Sequence, residues 1–157
     1  MISKELQQGK AAEHLVVADL ILAGYQAFLA DAGSPYDVVI DVGGGRLDTI
    51  QVKSCARAKT TRRGKTPAYH FSLRQGRDGK AQNDQGIISW FAFVTIDTRH
   101  IAYLPTNALT RKGRLIQTIT FRMPGVFAER RYSTGKLRQY DTYNVITSCP
   151  FPARGNG

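Results

Sequence analysis

Cysteine and histidine are scarce in this chain of 157 residues, which contains two cysteines and three histidines. Two cysteines are too few for a disulfide framework and are typical of reduced thiols in the cytoplasm. His14, His70 and His100 are too widely separated in the sequence to match the ligand spacing of a zinc site. The chain is therefore expected to be cytoplasmic and to depend neither on disulfides nor on structural zinc.

Long apolar runs and nucleotide-binding loops are also missing. No apolar run approaches the roughly 18 residues of a transmembrane helix, and the first residues do not have the pattern of a signal peptide. The glycines at 43–45 are not followed by the Lys-Ser/Thr pair of a phosphate-binding loop. We therefore expect no membrane partner, and nothing supports a nucleotide-binding loop or a Ser-His-Asp hydrolase.

Acidic residues are few and unevenly placed. The chain has 12 Asp and Glu against 22 Lys and Arg, a net charge of +10. Residues 1–54 hold seven of the acidic and four of the basic residues, a net charge of −3, whereas residues 55–157 carry +13. A basic chain indicates a polyanionic partner. A ribosome-associated basic protein would explain the total charge but not the acidic first third. A nuclease would use both regions, since it needs carboxylates to hold a cation and a basic surface to hold phosphates.

Hydrophobic patterning predicts one domain over residues 1–149, followed by a disordered tail over 150–157. A glycine turn at 43–45 joins two predicted strands into a hairpin. The predicted elements are a helix at 3–23, a short helix or turn at 106–110, a loop at 76–86, and strands at 25–30, 36–42, 47–54, 68–74, 87–96, 100–104 and 115–122.

The hairpin collects polar side chains on one face. Because side chains alternate along a strand, Gln51 and Lys53 share a face. If the hairpin folds about Gly44, Asp37 lies opposite Gln51, with Cβ atoms roughly 4.5–5.5 Å apart. Oxygen ligands from Asp37 and Gln51 suit Mg²⁺, for which Mn²⁺ would substitute, and the backbone carbonyl of Val52 could add a third oxygen. Lys53 could orient a water or neutralise charge on phosphorus.

Two further positions have two interpretations each. Glu13 lies on the apolar stripe of the predicted helix, where it either pairs with a basic residue or acts as a second carboxylate beside the metal, through a water. Ser34 precedes a proline, so it is either a turn residue or a contact to phosphate.

Basic residues follow the hairpin directly. Such a run is typical of a solvated loop, but its position after the predicted site favours contact with a nucleic-acid backbone. The predicted DNA-binding residues, besides Ser34, are Arg57, Lys59, Arg62, Arg63, Lys65 and Arg74.

Asp37 followed by Gln51-Val52-Lys53 resembles the PD-(D/E)XK nuclease motif, with glutamine in place of the second acid. The Q-x-K form is similar to group I intron-associated homing endonucleases. The run at 32–35 and the spacing from Gly9 to Glu13 resemble archaeal Holliday-junction resolvases. The resemblance covers about residues 4–105 and implies an α/β, restriction-endonuclease-like core, a central mixed β-sheet flanked by helices, with a divalent metal and phosphodiester hydrolysis.

These features favour a Mg²⁺-dependent DNA endonuclease in which Glu13, Asp37, Gln51 and Lys53 are catalytic. A resolvase of branched DNA and a nuclease-like fold that only binds nucleic acid remain as alternatives, the latter because Gln51 removes a negative charge. A single hydrolytic centre cuts one strand, so cutting a duplex needs two centres. We therefore expect a homodimer or homotetramer.

Overall fold

The computed structural model describes residues 1–60, 67–74 and 86–122. Nine strands and one α-helix lie in these ranges. No helix within these ranges is long and apolar enough to cross a membrane. The elements are α1 (Lys4–Leu22), β1 (Gln26–Leu29), β2 (Val38–Gly43), β3 (Arg46–Cys55), β4 (Ala68–Ser72), β5 (Trp90–Thr95), β6 (His100–Pro105), a 3₁₀ turn (Thr106–Leu109), β7 (Thr110–Arg111), β8 (Arg114–Leu115) and β9 (Thr118–Arg122).

Helix α1 begins and ends where local chemistry predicts. The Ser3 hydroxyl accepts a hydrogen bond from the Leu6 N–H at 3.2 Å, which caps the first turn. Gly24 follows the helix with a φ of +92°, a conformation that favours glycine. The sequence pattern also predicts Leu6 and Ile21 on the apolar stripe of this helix, but the buried stripe is narrower, because these two residues are 56% and 53% exposed. The fully buried positions follow an i, i+4 spacing: Ala12, Val16 and Leu20.

A five-stranded mixed sheet forms the centre, in the order β1-β2-β3-β5-β6. Strands β3 and β5 are parallel, and the other neighbours are antiparallel. The β2–β3 hairpin pairs Val38 with Ile50 and Asp41 with Leu47, the register of a hairpin folded about Gly44. A register shift after Asp41 is accommodated in the glycine turn, where the Asp41 carboxylate accepts the Gly43 N–H at 2.7 Å. The predicted hairpin is confirmed.

Two layers cover opposite faces of the sheet. On one face, α1 packs against alternating residues of the central strands, including Ile50, Val52, Ala92 and Val94. The other face carries the β4–β9 pair, an antiparallel ribbon packed against intervening residues such as Phe91 and Phe93. Side chains alternate along β3, so Gln51 and Lys53 lie on the ribbon side. The side chains of Gln51 and Lys53 therefore leave the sheet on the face opposite α1.

Predicted and observed elements agree, with end points that differ by up to three residues. The small β7–β8 hairpin was not predicted; its turn places Lys112 and Gly113 at positive φ. The predicted loop at 76–86, except Gly86, the predicted domain boundary at 149 and the predicted tail at 150–157 lie outside the described residues.

Candidate functional site

The backbone of Asp37 is held between two strands. Its carbonyl accepts the Ala30 N–H at 2.8 Å, and its own N–H donates to the Ile50 carbonyl at 3.0 Å. Asp37 directly precedes β2, so its side chain lies where the pairing of β2 with β3 ends. The position is therefore fixed by main-chain hydrogen bonds from both neighbours in the sheet.

The Asp37 carboxylate joins the end of β2 to the middle of β3. Its Oδ2 accepts the Gln51 side-chain Nε2–H at 2.5 Å and the Val52 backbone N–H at 2.7 Å. Beyond the last paired residues of β2 and β3, the carboxylate thus accepts the Val52 N–H in place of a main-chain carbonyl. The structure brings Asp37 and Gln51 together as the register predicts. Both of these bonds use Oδ2.

Charge at this site is partly removed from water. Burial raises the pKa of Asp37, and the Val52 N–H opposes this; the charge of Glu13 raises the pKa further, while Lys53 and Lys10 lower it. Burial also lowers the pKa of the Lys53 ammonium, against the attraction of Asp37. Both shifts disfavour the charged forms. A further positive charge beside Asp37 would therefore stabilise its ionised carboxylate.

Glu13 reaches this site from α1. Its side chain is 14% exposed, and its Oε2 lies 2.7 Å from the Nζ of Lys10, one turn earlier and 61% exposed. The charge of Glu13 raises the pKa of Asp37. The hydrogen bond and charge of Glu13 raise the pKa of Lys10. Glu13 was predicted from the sequence but Lys10 was not, although an i, i+3 pair on a helix was a signal for it.

The donor groups fit a hard cation. No cluster of three or more His, Cys, Asp or Glu side chains occurs among residues 1–60, 67–74 and 86–122. The candidate ligands are instead the carboxylates of Asp37 and Glu13 and the amide of Gln51, and Mg²⁺ accepts such a set because it retains several waters. The N–H and C=O of one strand residue point to the same edge. Since the Val52 N–H meets Asp37, the Val52 carbonyl lies on that edge too.

The predicted DNA-binding residues are spread more widely. Arg57 and Lys59 are exposed just after β3, where the Lys59 main chain bonds to Ala68. Arg74 is exposed after β4, and its guanidinium donates to the Gln117 side chain. Ser34 is half-buried, and its N–H donates to the Asp31 carbonyl at 3.1 Å, as in a turn. Arg62, Arg63 and Lys65 lie outside the described residues.

Comparison with solved structures finds the same fold in a bacterial homing endonuclease, I-Ssp6803I. The two share 19% sequence identity over 91% of this chain and 87% of that one, with a TM-score of 0.61. The archaeal Holliday junction resolvase Hjc of Archaeoglobus fulgidus matches over 73% of this chain and 83% of its own, at 20% identity and a TM-score of 0.43. No protein-family model and no curated protein matches the chain. The predicted restriction-endonuclease-like fold is confirmed, and the resemblance to these nucleases stands as a likeness of fold.

Proposed function

We propose that this protein is a Mg²⁺-dependent DNA endonuclease of the homing-endonuclease type. The observation that carries the proposal is the Asp37 carboxylate, bonded to both Gln51 and Val52 beside Lys53. It supports a cation site next to a desolvated ammonium, in a fold that a homing endonuclease shares. Hydrolysis of a phosphodiester needs both groups, one to bind the phosphate oxygens and one to compensate new negative charge.

The roles follow from the chemistry of the donors. Asp37 and Gln51 would hold Mg²⁺, or Mn²⁺ in its place, through side-chain oxygens. The Val52 carbonyl would add a backbone oxygen, and Glu13 would act through a water. When bound, the ion would acidify a water and polarise a phosphoryl oxygen.

Lys53 supplies the positive charge that the chain itself contributes. Burial lowers its pKa, so its Nζ–H is a stronger proton donor than that of an exposed lysine. In the proposed mechanism Nζ orients the attacking water or neutralises charge on the phosphate. Its place on β3, two residues from Gln51 on the same face, keeps it beside the cation ligands.

DNA is the proposed substrate because the basic charge follows the site. Arg57 and Lys59 leave β3 directly after Lys53, and both are exposed. Contacts from such residues to phosphates would hold a duplex across the site without reading its sequence.

A second candidate is a nuclease-like protein that binds nucleic acid without cutting it. Gln51 favours this candidate, because a neutral amide replaces the acid of the usual motif and weakens attraction for a cation. The two candidates differ in one measurable property, hydrolysis in the presence of Mg²⁺.

Cleavage of a supercoiled plasmid and of branched oligonucleotide duplexes, with Mg²⁺ or with EDTA, tests the proposal. We expect nicked or linear plasmid with Mg²⁺ and intact plasmid with EDTA. Asp37→Ala should be inactive, and Asp31→Ala, which removes an exposed acid, should cut normally. Binding without cleavage under all metal conditions would support the second candidate. Cleavage confined to branched DNA would identify a resolvase.

A further inference from the structure

The β4–β9 ribbon has two chemically distinct faces. Its strands pair Ser72 with Thr118 and His70 with Thr120 in an antiparallel register. Alternate residues turn inward and are buried: Tyr69, Phe71, Ile119 and Phe121. The outward residues are exposed and polar: His70, Ser72, Thr118 and Thr120. The sequence predicted both strands but assigned no role to this outer face.

The ribbon is held in a fixed position beside the candidate site. Phe93 lies opposite Lys53 in the parallel pairing of β3 with β5. The Phe93 ring contacts Phe71 with centroids 5.2 Å apart and Phe121 with centroids 5.3 Å apart. One layer of aromatic rings therefore separates the sheet position next to Lys53 from the ribbon. The outer face points away from the sheet on the side where Lys53 lies.

Hydrogen-bonding groups of the outer face are ordered. His70 Nδ1 lies 3.1 Å from the Thr120 hydroxyl, so the imidazole is oriented and Nε2 is the ring atom that would meet a ligand. Serine and threonine hydroxyls both donate and accept hydrogen bonds. Small uncharged groups of this kind match the edges of bases, whereas phosphates attract lysine and arginine. The core of a protein interface would instead be rich in aromatic residues.

The chain segments that contain the ribbon and its neighbours in the sequence are basic. Residues 67–74 and 86–122 contain six Lys and Arg but one acidic residue, Asp97. Three exposed basic residues cluster on the β7–β8 hairpin, whose turn is made by Lys112 and Gly113 at positive φ: Arg111, Lys112 and Arg114. Arg74 adds a fourth at the end of β4. A polar face on a basic part of the chain suits DNA, in which base edges lie between negatively charged phosphates.

We propose that the outer face of the β4–β9 ribbon enters the major groove and reads base edges through His70, Ser72, Thr118 and Thr120. The inference rests on the proposed function, since it assumes that DNA is the substrate. The major groove of B-DNA is about 12 Å wide and admits a two-stranded ribbon. The aromatic layer under the ribbon keeps the reading face in a constant relation to Lys53. Sequence recognition and cleavage would therefore occur at a defined spacing along the duplex.

Selection from a pool of duplexes with a randomised central segment tests the inference. The full-length protein would bind the pool in EDTA, so that recognition is measured without cleavage. We expect the wild type to enrich a sequence motif. Ser72→Ala and Thr120→Ala should each lose preference at neighbouring base pairs, with discrimination reduced about tenfold. Affinity for an unrelated duplex, and its salt dependence, should stay at the wild-type level.

His70→Ala has a matched control in His14→Ala. Both histidines are exposed, but His14 is on α1, on the other side of the sheet. The control should select the wild-type motif, and thermal melting of each variant checks that the fold is retained.

The results separate this inference from the proposed function. Ribbon variants that select an unchanged motif, or a wild type that cuts DNA in Mg²⁺ but enriches no motif, would overturn ribbon reading while leaving the nuclease intact. A motif that is lost in the ribbon variants, from a protein that never cuts, would support ribbon reading and refute the nuclease.

Discussion

Asp37 is the residue at which the structural role of a side chain and its proposed catalytic role conflict. Its Oδ2 completes the hydrogen bonding of β3, yet burial and the nearby Glu13 raise its pKa and so disfavour the charge that a cation needs. Lys53 is disfavoured as a cation by the same burial. Groups with perturbed pKa values cluster at functional sites, and this supports the proposed role of Asp37 and Lys53.

Asp37→Asn should abolish cleavage, by more than about 100-fold, and should not destabilise the fold at neutral pH. Between the ordinary pKa of 3.8 and the raised folded value, the folded state keeps a proton that the unfolded state loses. The wild-type free energy of unfolding therefore falls as pH rises through this window. Above the window the loss of stability is complete and stays constant. Asparagine has no such cost. In urea unfolding between pH 4 and pH 8, the free energy of unfolding of the variant, relative to that of the wild type, should increase as pH rises. A variant less stable than the wild type at pH 7 would contradict this.

Substitutions at Gln51 test whether its side-chain amide is a cation ligand. Gln51→Glu should retain cleavage and change its Mg²⁺ dependence, whereas Gln51→Leu should be inactive. Without metal, Gln51→Glu should melt below the wild type, since it replaces the Nε2–H donor to Asp37 with a second carboxylate. Added Mg²⁺ should then raise its melting temperature more than that of the wild type, because binding to the folded state stabilises it. Normal cleavage by the leucine variant would show that Gln51 is only framework.

Lys10 should compete with the cation for Glu13. The exposed ion pair contributes at most about 1 kcal/mol to stability, so Lys10→Gln should melt close to the wild type. It should also need less Mg²⁺ for half-maximal thermal stabilisation, because Glu13 loses its neutralising partner. Lys4→Gln, which removes an exposed charge from the same helix, is the control and should keep the wild-type requirement. Equal Mg²⁺ requirements in both variants would exclude the competition.

Two elements divide the proposed work. The β2–β3 hairpin holds the hydrolytic groups at the point where its pairing ends, and the β4–β9 ribbon presents a polar surface on the same side of the sheet. The segment that leaves β3 links them, because Lys59 bonds through its main chain to Ala68 at the start of β4. Lys59 is therefore held at the start of β4, close to both elements.

Neutralising the basic residues after β3 should weaken DNA binding equally for all sequences. The set consists of Arg57, Lys59, Arg62, Arg63 and Lys65. For every phosphate that is no longer neutralised, the slope of log K against log salt should flatten by about 0.9. Fluorescence anisotropy over a range of salt concentrations measures this. An unchanged slope would place the segment in solvent, away from the DNA.

At the scale of the whole molecule, the residues that the structure describes contain one candidate hydrolytic centre. This centre lies on the five-stranded sheet. Strands β1 and β6 are the two edges of this sheet among the described residues, and Phe28 on β1 is 57% exposed. An exposed aromatic side chain on an edge strand suits association with another strand. Its location in the acidic first third makes DNA a poor partner for this edge and a second copy a better one.

We predict a homo-oligomer of even order, a dimer or tetramer, because cutting both strands of a duplex requires two centres. Light scattering with and without DNA measures the mass directly. Phe28→Lys should shift the distribution towards monomer and reduce double-strand breaks more than nicks. A strict monomer in both conditions would leave a nicking enzyme or a binding protein as the better description.

The sequence by itself determined the local features of this protein. The cap at Ser3, the strands flanking the glycines at 43–45 and the register about Gly44 depend on neighbouring residues, and each is present in the structure. The pairing of Asp37 with Gln51 follows from that register, because alternation along two short strands leaves few arrangements. The restriction-endonuclease-like core was predicted from the resemblance of this motif rather than from the periodicity of the chain.

Only the tertiary structure decided the features that join distant segments. The parallel pairing that sets Lys53 opposite Phe93 spans 40 positions in the sequence, and no local signal encodes it. The ribbon strands Ala68–Ser72 and Thr118–Arg122 were each predicted, but their partnership and their polar outer face depend on burial of aromatic rings between them and the sheet. Desolvation of Asp37 and Lys53 likewise arises from packing around them. Contacts of this kind follow from which surfaces exclude water together, a property of the folded chain rather than of any one stretch.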